Sequence, residues 1–364
     1  MKPYPWLSLI LICFSGPAFA EAPIAPPPAS VSPPEGNFMK IDNGQVKFNA
    51  LLQPWYIDQP SSGSSVAKNN FRIRRAEIRF GGNLSPETRW FVMADPAKAL
   101  TIKEGSLSSS NDNKVLQDLG VAWMVADGWE WLAGQVKTPT TAEGLDSSGD
   151  LPLPERSLIG RTLGDKRLIG IQTSYRDTAN KDAKWKFTGM LSNGSNANTD
   201  DSTNGKDLNL RGDFLPFSGF SMGGWFGMPD TSIRNFPDNH RWGFNLRWKG
   251  EKEYVRYEHG QSKSTIDGEA KKFHGHTAEV GYLVWPKVQP VLRFERFYPS
   301  SSKSAHARAV TLGFNYYLFA GKSNQKLQMS YSVTKGMGGS NGSISSNPEA
   351  GSGRVIVICF QMAI

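Results

Sequence analysis

The sequence holds no segment with a helical hydrophobic period longer than about two turns, which excludes helical bundles and doubly wound α/β folds. Its N-terminal apolar run, Leu7 to Phe14, is too short to cross a bilayer as a helix. Cysteine is nearly absent. Cys13 falls within that run, after Ile12 rather than the small residue that lipid attachment would want, so Cys359 is the one thiol left if the run is removed. An internal disulfide is then excluded. No Ser/His/Asp spacing, phosphate-cradling loop or zinc-finger spacing occurs, so neither an enzyme nor a cofactor is expected. His274 and His276 in "HGH" share one strand face, but no third ligand is near in sequence, and a metal is not expected.

What is present at the N-terminus reads as an export signal: Lys2, the apolar run, and Ala18-Phe19-Ala20 as a cleavage site after Ala20. Export excludes ribosomal and nuclear roles, so the basic residues have no nucleic-acid partner. Residues 21–37, "EAPIAPPPASVSPPEGN", read as an extended periplasmic linker. The formal net charge of +8 falls by one with Lys2 and proves no anionic partner by itself.

From residue 45 onward, sixteen segments of roughly ten residues alternate apolar and polar side chains, within a barrel expected over 38–364. They begin at 45–56, 71–83, 88–95 and 117–126, and end at 309–319, 325–335 and 354–364. In "RWGFNLRWKG" Trp242, Phe244, Leu246 and Trp248 share one face, while Arg241, Asn245, Arg247 and Lys249 share the other. Short connections such as "NLSPE", "DG" and "PK" alternate with long polar ones such as "GGSNGSISSNPEAGSG". An even strand number with this alternation predicts an all-β, 16-stranded antiparallel transmembrane barrel with short periplasmic turns and long extracellular loops. One face meets lipid and the charged face meets a water-filled lumen. Trp90, Trp129, Trp185, Tyr254, Tyr282 and Trp285 suit interfacial girdles.

Two features bear on the lumen. "FRIRRAEIRFGG" (71–82) changes phase: Phe71 and Ile73 are apolar on odd positions, Ala76, Ile78 and Phe80 on even ones. A bulge near Arg74-Arg75 accounts for the slip. It predicts Arg75 and Arg79 inside, with Arg72 and Arg74 at the mouth, Arg74 reaching lipid phosphates. The connection at 139–166 is too long for a hairpin and carries Leu151, Leu153, Leu158 and Ile159. It either folds inward as a constriction or lies outside as a flap. It is acidic, with five carboxylates against three cations.

The stretches "GQVKTPTTAEGLDSSGDLPLPERSLIG" (134–160) and "FRIRRAEIRFGGNLSPETRWFVMADPAK" (71–98) resemble the phosphate-selective porin O/P family. That resemblance implies a sixteen-stranded barrel, a homotrimer, and a third loop folded into the lumen. It implies an arginine ladder for small anions such as phosphate, and places Lys137 and Arg156 near the constriction. Carried onto inward positions of this chain, the ladder comprises Arg75, Arg79, Arg211, Arg247, Arg256 and Arg293, with Lys186 and Lys249 beside them. The residues alone leave a second reading open. Arg75/Glu77, Arg211/Asp213, Arg256/Glu258 and Arg293/Glu295 share a face at i+2, as salt-bridged wall residues would. Outer-membrane lipid and lipopolysaccharide are the expected surroundings. A weakly selective diffusion porin and an adhesive barrel are the alternatives.

Overall fold

A computed structural model describes residues 38–41, 44–58, 69–99, 115–177, 185–195, 197–201, 204–229, 240–266, 269–298, 307–319, 325–335 and 353–364. The expected signal at 1–20 and linker at 21–37 lie outside these residues. The strands are β1 (Phe38–Ile41), β2 (Gly44–Asp58), β3 (Asn69–Asn83), β4 (Thr88–Ala94), β5 (Leu116–Ala126), β6 (Trp129–Lys137), β7 (Arg167–Arg176), β8 (Trp185–Asn193), β9 (Lys206–Phe217), β10 (Phe220–Met228), β11 (His240–Lys249), β12 (Glu253–Ile266), β13 (Glu269–Tyr282), β14 (Val288–Tyr298), β15 (Ala307–Tyr317), β16 (Lys326–Lys335) and β17 (Gly353–Ala363). Between β6 and β7 lie two short helices, α1 (Ala142–Leu145) and α2 (Leu158–Leu163).

Strands β2 to β17 pair antiparallel in chain order, and β17 pairs back onto β2, closing a barrel of sixteen. The short β1 pairs only with the first residues of β2. Ile364 and Ala50 exchange backbone hydrogen bonds at the seam, so the last residue belongs to the closing ladder. Closure satisfies every edge, which a lipid-exposed sheet requires. The sixteen alternating segments of the sequence are these strands, with ends differing by a few residues. The largest difference is β13, which begins at Glu269 rather than near 275.

The alternation sorts the two faces. Leu119, Leu191, Phe244, Val280, Phe294 and Leu312 are large, apolar and exposed, as a lipid-facing surface needs. The opposite face is polar and largely buried, with Asn209, Asn245, Glu258, Glu279 and Gln328. Trp129, Trp185, Tyr282 and Trp285 are exposed near the turn ends, as an interfacial band would be. Tyr254 is a correction to that expectation: it lines a cavity within the barrel, on the face of Arg256. The tight turn at Asp127-Gly128 uses Gly128 at φ +71°, a conformation open to glycine without strain.

The segment 138–166 packs against the polar face, which in a closed barrel is the inner one. Leu158, Ile159 and Leu163 are buried with Trp225, Phe297 and Ala307. Glycine makes room for the loop. A side chain on Gly313 would overlap Leu153, and one on Gly260 would overlap Leu163.

Candidate functional site

The loop is held by charge as well as by leucines, and its carboxylates meet the wall arginines. Glu155 bridges Arg74 at 2.8 Å and Arg75 at 3.2 Å, and its carbonyl accepts from Arg293 at 2.8 Å. Glu143 pairs with Arg256, which also reaches Glu279 at 3.0 Å and Asp146 at 3.2 Å. Arg247 pairs with Asp146 at 2.8 Å. Arg211 donates to the Thr140 carbonyl and pairs with Asp213.

The wall supplies acceptors too. Glu258 accepts from the amides of Ala142 (2.6 Å) and Glu143 (3.3 Å), and Glu295 from that of Leu158 (2.6 Å). These amides open the two helices, where N–H groups lack intrahelical partners. Farther along, Leu151 offers its carbonyl to Lys326 and Gln328, Pro152 to Asn315, and Gly149 to Gln361. The loop is therefore pinned to strands from β2 around to β17.

Burial raises the carboxyls of Glu143 and Glu155, yet the neighbouring arginines outweigh it. Arg74 and Arg75 hold Glu155 well below its ordinary range. Arg256, Arg293 and the Ser157 hydrogen bonds lower Glu143. Asp165 is lowered as well, its burial outweighed by Arg156, Lys137 and Arg167. All three loop acids are ionised clamps.

The sequence-derived arginines thus divide. Arg75, Arg156, Arg211, Arg256 and Arg293 are buried, each in contact with a carboxylate. Arg75/Glu77 (3.8 Å), Arg211/Asp213 and Arg293/Glu295 (3.1 Å) do pair as spacing suggested. The expected Arg256/Glu258 pair is absent, because the loop amides take Glu258 and the loop acids take Arg256. Lys186 is exposed at the turn end of β8, opposite Asp213 and Arg176 in register.

The arginine-rich strand needs a correction. Gln53 faces Arg75 and Pro54 faces Ile73, so Arg74 is the extra residue of a bulge. That bulge turns both Arg74 and Arg75 inward to Glu155. Arg72 and Arg74 also lie over the ring of Trp55, at 4.9 and 5.6 Å. Trp55 is buried beside Ile57, Val357 and Cys359. Neither arginine reaches toward lipid, because a buried carboxylate and an aromatic face offer better partners.

Open space lies beside the pinned loop. A cavity of about 690 Å³ at the turn end is lined by Lys47, Arg79, Arg89, Lys137 and Arg167 against Glu77, Asp118 and Asp150. A second, of about 280 Å³ at the loop end, is lined by Lys98, Lys166, Arg167 and Arg241 against Asp165 and Asp207. Arg167 borders both. It holds Asp118 at 2.7 Å and Asp165 at 3.5 Å, next to Lys137. A third cavity, about 500 Å³ at the turn end, contains Arg247 and Lys249 and balances four cations against four carboxylates. Arg79 stacks on Phe91 at 5.3 Å, is exposed, and has no carboxylate partner among the described residues.

Sequence reasoning missed Arg167. It shares parity with Ile169 and Ile171, so phase assigns it to lipid; as the first residue of β7 it turns to Asp118 instead. Arg241 was legible, since it shares the inward face with Asn245 and Arg247.

No curated protein matches the chain. The anion-selective porin from Comamonas acidovorans superposes with a TM-score of 0.59 at 10% identity, covering 88% of this chain and 100% of that one. The trimer form of OmpT from Vibrio cholerae gives 0.60 at 11%, over 89% and 100%. The outer membrane channel DcaP of Acinetobacter baumannii gives 0.57 at 12%, over 90% and 100%. At such identities the likeness establishes the porin fold. Residues 52–221 match the family model described as phosphate-selective porin O and P. That span holds the bulged arginine strand and the whole pinned loop, the stretches that carry the resemblance, and together with the porin fold it marks the chain as an outer-membrane channel that over these residues is similar to phosphate-selective porins O and P.

Proposed function

We propose that this channel passes small hydrophilic solutes by diffusion with a preference for anions, phosphate among them, past a constriction narrowed by the loop at 138–166. The observation that carries the reading is the meeting of two cation-rich cavities at Arg167. An anion shedding water there finds guanidinium and ammonium donors in sequence rather than one tight trap. Lys98, Lys166 and Arg241 stand on the loop side, Lys137 and Arg167 at the junction, and Arg79, Lys47 and Arg89 on the turn side. The ladder expected from sequence shortens accordingly. Arg79 and Lys137 belong to the path, whereas Arg75, Arg156, Arg211, Arg256 and Arg293 serve mainly to hold the loop.

The charge-balanced third cavity and the acidic loop favour one alternative, a weakly selective diffusion channel. Export through the N-terminal signal and assembly as a homotrimer complete the proposal, the latter supported by the trimer form of the Vibrio relative. Planar-bilayer recording tests the selectivity. Ohmic steps, a reversal potential favouring chloride over potassium, and block by added phosphate are expected. A potassium preference would refute the anion reading, and equal permeability would favour the alternative.

A further inference from the structure

The outward face of the barrel is apolar through its middle, but the loop ends of β14 to β17 carry a row of cations. Arg296, Arg308 and Lys335 stand directly across from one another on three successive strands, with His276 of β13 opposite Arg296 and hydrogen-bonded with the Tyr257 hydroxyl. Arg354 on β17 is paired with Val333, two residues from Lys335 on the same face. These side chains share the face of the exposed Phe294, Val310, Val333 and Phe360, opposite the lumen-facing Arg293 and Thr311. Arg296, Arg308, Lys335 and Arg354 are exposed and have no carboxylate partner among the described residues. At the same end, β2 and β3 present Tyr56, Phe71 and Ile73 outward instead.

Like charges placed directly opposite in a sheet repel, and bare cations beside lipid-facing side chains are costly. A row of this kind is relieved by anions at that depth. Long loops mark the extracellular end of such barrels, so the row lies at the headgroup level of the outer leaflet. Steps of about 5 Å between strands suit a ligand bearing more than one phosphate. We propose that this row binds the phosphates of a phosphorylated glycolipid, the lipid A part of lipopolysaccharide. The inference rests on the barrel's orientation and not on the selectivity of its lumen.

The test uses the full mature chain with Arg296→Gln, Arg308→Gln and Lys335→Gln combined. Titration with lipid A in nanodiscs, with native mass spectrometry of the complex, is expected to show about a hundredfold weaker binding, each surface cation contributing roughly a fivefold factor. Lipid A stripped of phosphate should bind the wild-type chain as weakly, and millimolar inorganic phosphate should not displace the lipid. Single-channel conductance should match wild type, which confirms a folded barrel and separates this site from the lumen. If the triple variant does not fold, Arg308→Gln alone, at the centre of the row, should weaken binding about fivefold. Unchanged lipid affinity would overturn the proposal. So would displacement by phosphate alone, which marks a free-anion site, or loss of the oligomer with lipid retained, which marks a subunit contact.

Discussion

Arg74 is one residue more than β2 can match, and the bulge it forms gives Glu155 two guanidinium partners in place of one. Glu155→Gln would leave both arginines facing the loop without their carboxylate. Breaking a buried pair from one side costs about 3–5 kcal/mol. Glu155 keeps partial solvent contact, with its side chain 20% exposed, so a loss near the lower end, about 3 kcal/mol, is expected in thermal unfolding of the barrel. The same substitution removes a negative charge beside the passage, so reversal potentials should move toward anions. Arg79 is the opposite case, exposed and without an acid partner among the described residues. Arg79→Glu should move the reversal potential toward cations while leaving the unfolding temperature unchanged. If Arg79→Glu shifts stability but not selectivity, the turn-side cavity is not on the ion path.

The loop between β6 and β7 behaves as an element with two kinds of anchor. Leu153 and Leu158 fill hollows beside Gly313 and under Trp225, and the acids Glu143, Glu155 and Asp165 clamp arginines. Because the folded-state values of these acids lie below their ordinary ones, ionisation stabilises the docked loop. That contribution is complete above the ordinary carboxylate range and is lost only as pH falls through the lowered values. Between pH 7 and the ordinary glutamate value of 4.5, conductance and noise should therefore stay flat. Both should rise below it, as the loop loosens. A step in conductance near pH 5 or 6 would mean that the loop acids do not clamp the loop.

The strands were legible because lipid imposes a two-residue alternation on every crossing, and Trp242 to Trp248 shows it without ambiguity. The clamps were not. Glu155 lies 80 residues from Arg75 and 138 from Arg293, and i+2 spacing identifies only neighbours on one strand. That spacing found Arg293/Glu295 but assigned Glu258 to Arg256 rather than to the loop amides. The inward turn of Arg74 depends on Trp55 and Glu155, neither visible in the phase of β3.

For the molecule as a whole, closure and charge act together. The seam between β17 and β2 removes the last open edge, and the lumen it encloses holds two cation-rich cavities that share Arg167. Two mechanisms could make such a passage prefer anions: the field of exposed charges, or direct ligation by guanidinium groups. Salt separates them. The field of the exposed Arg79 reaches about 10 Å at 0.1 M ionic strength and about 3 Å at 1 M. Since Arg79 has no acid partner among the described residues and the cavity it lines spans about 690 Å³, an ion can pass it beyond contact distance. The preference should then be clear in 0.1 M potassium chloride and largely gone in 1 M, measured as reversal potential across a fixed twofold gradient. A preference undiminished at 1 M would place the selecting groups in contact with the ion, at Arg167 and Lys137, which Asp118 and Asp165 hold side by side.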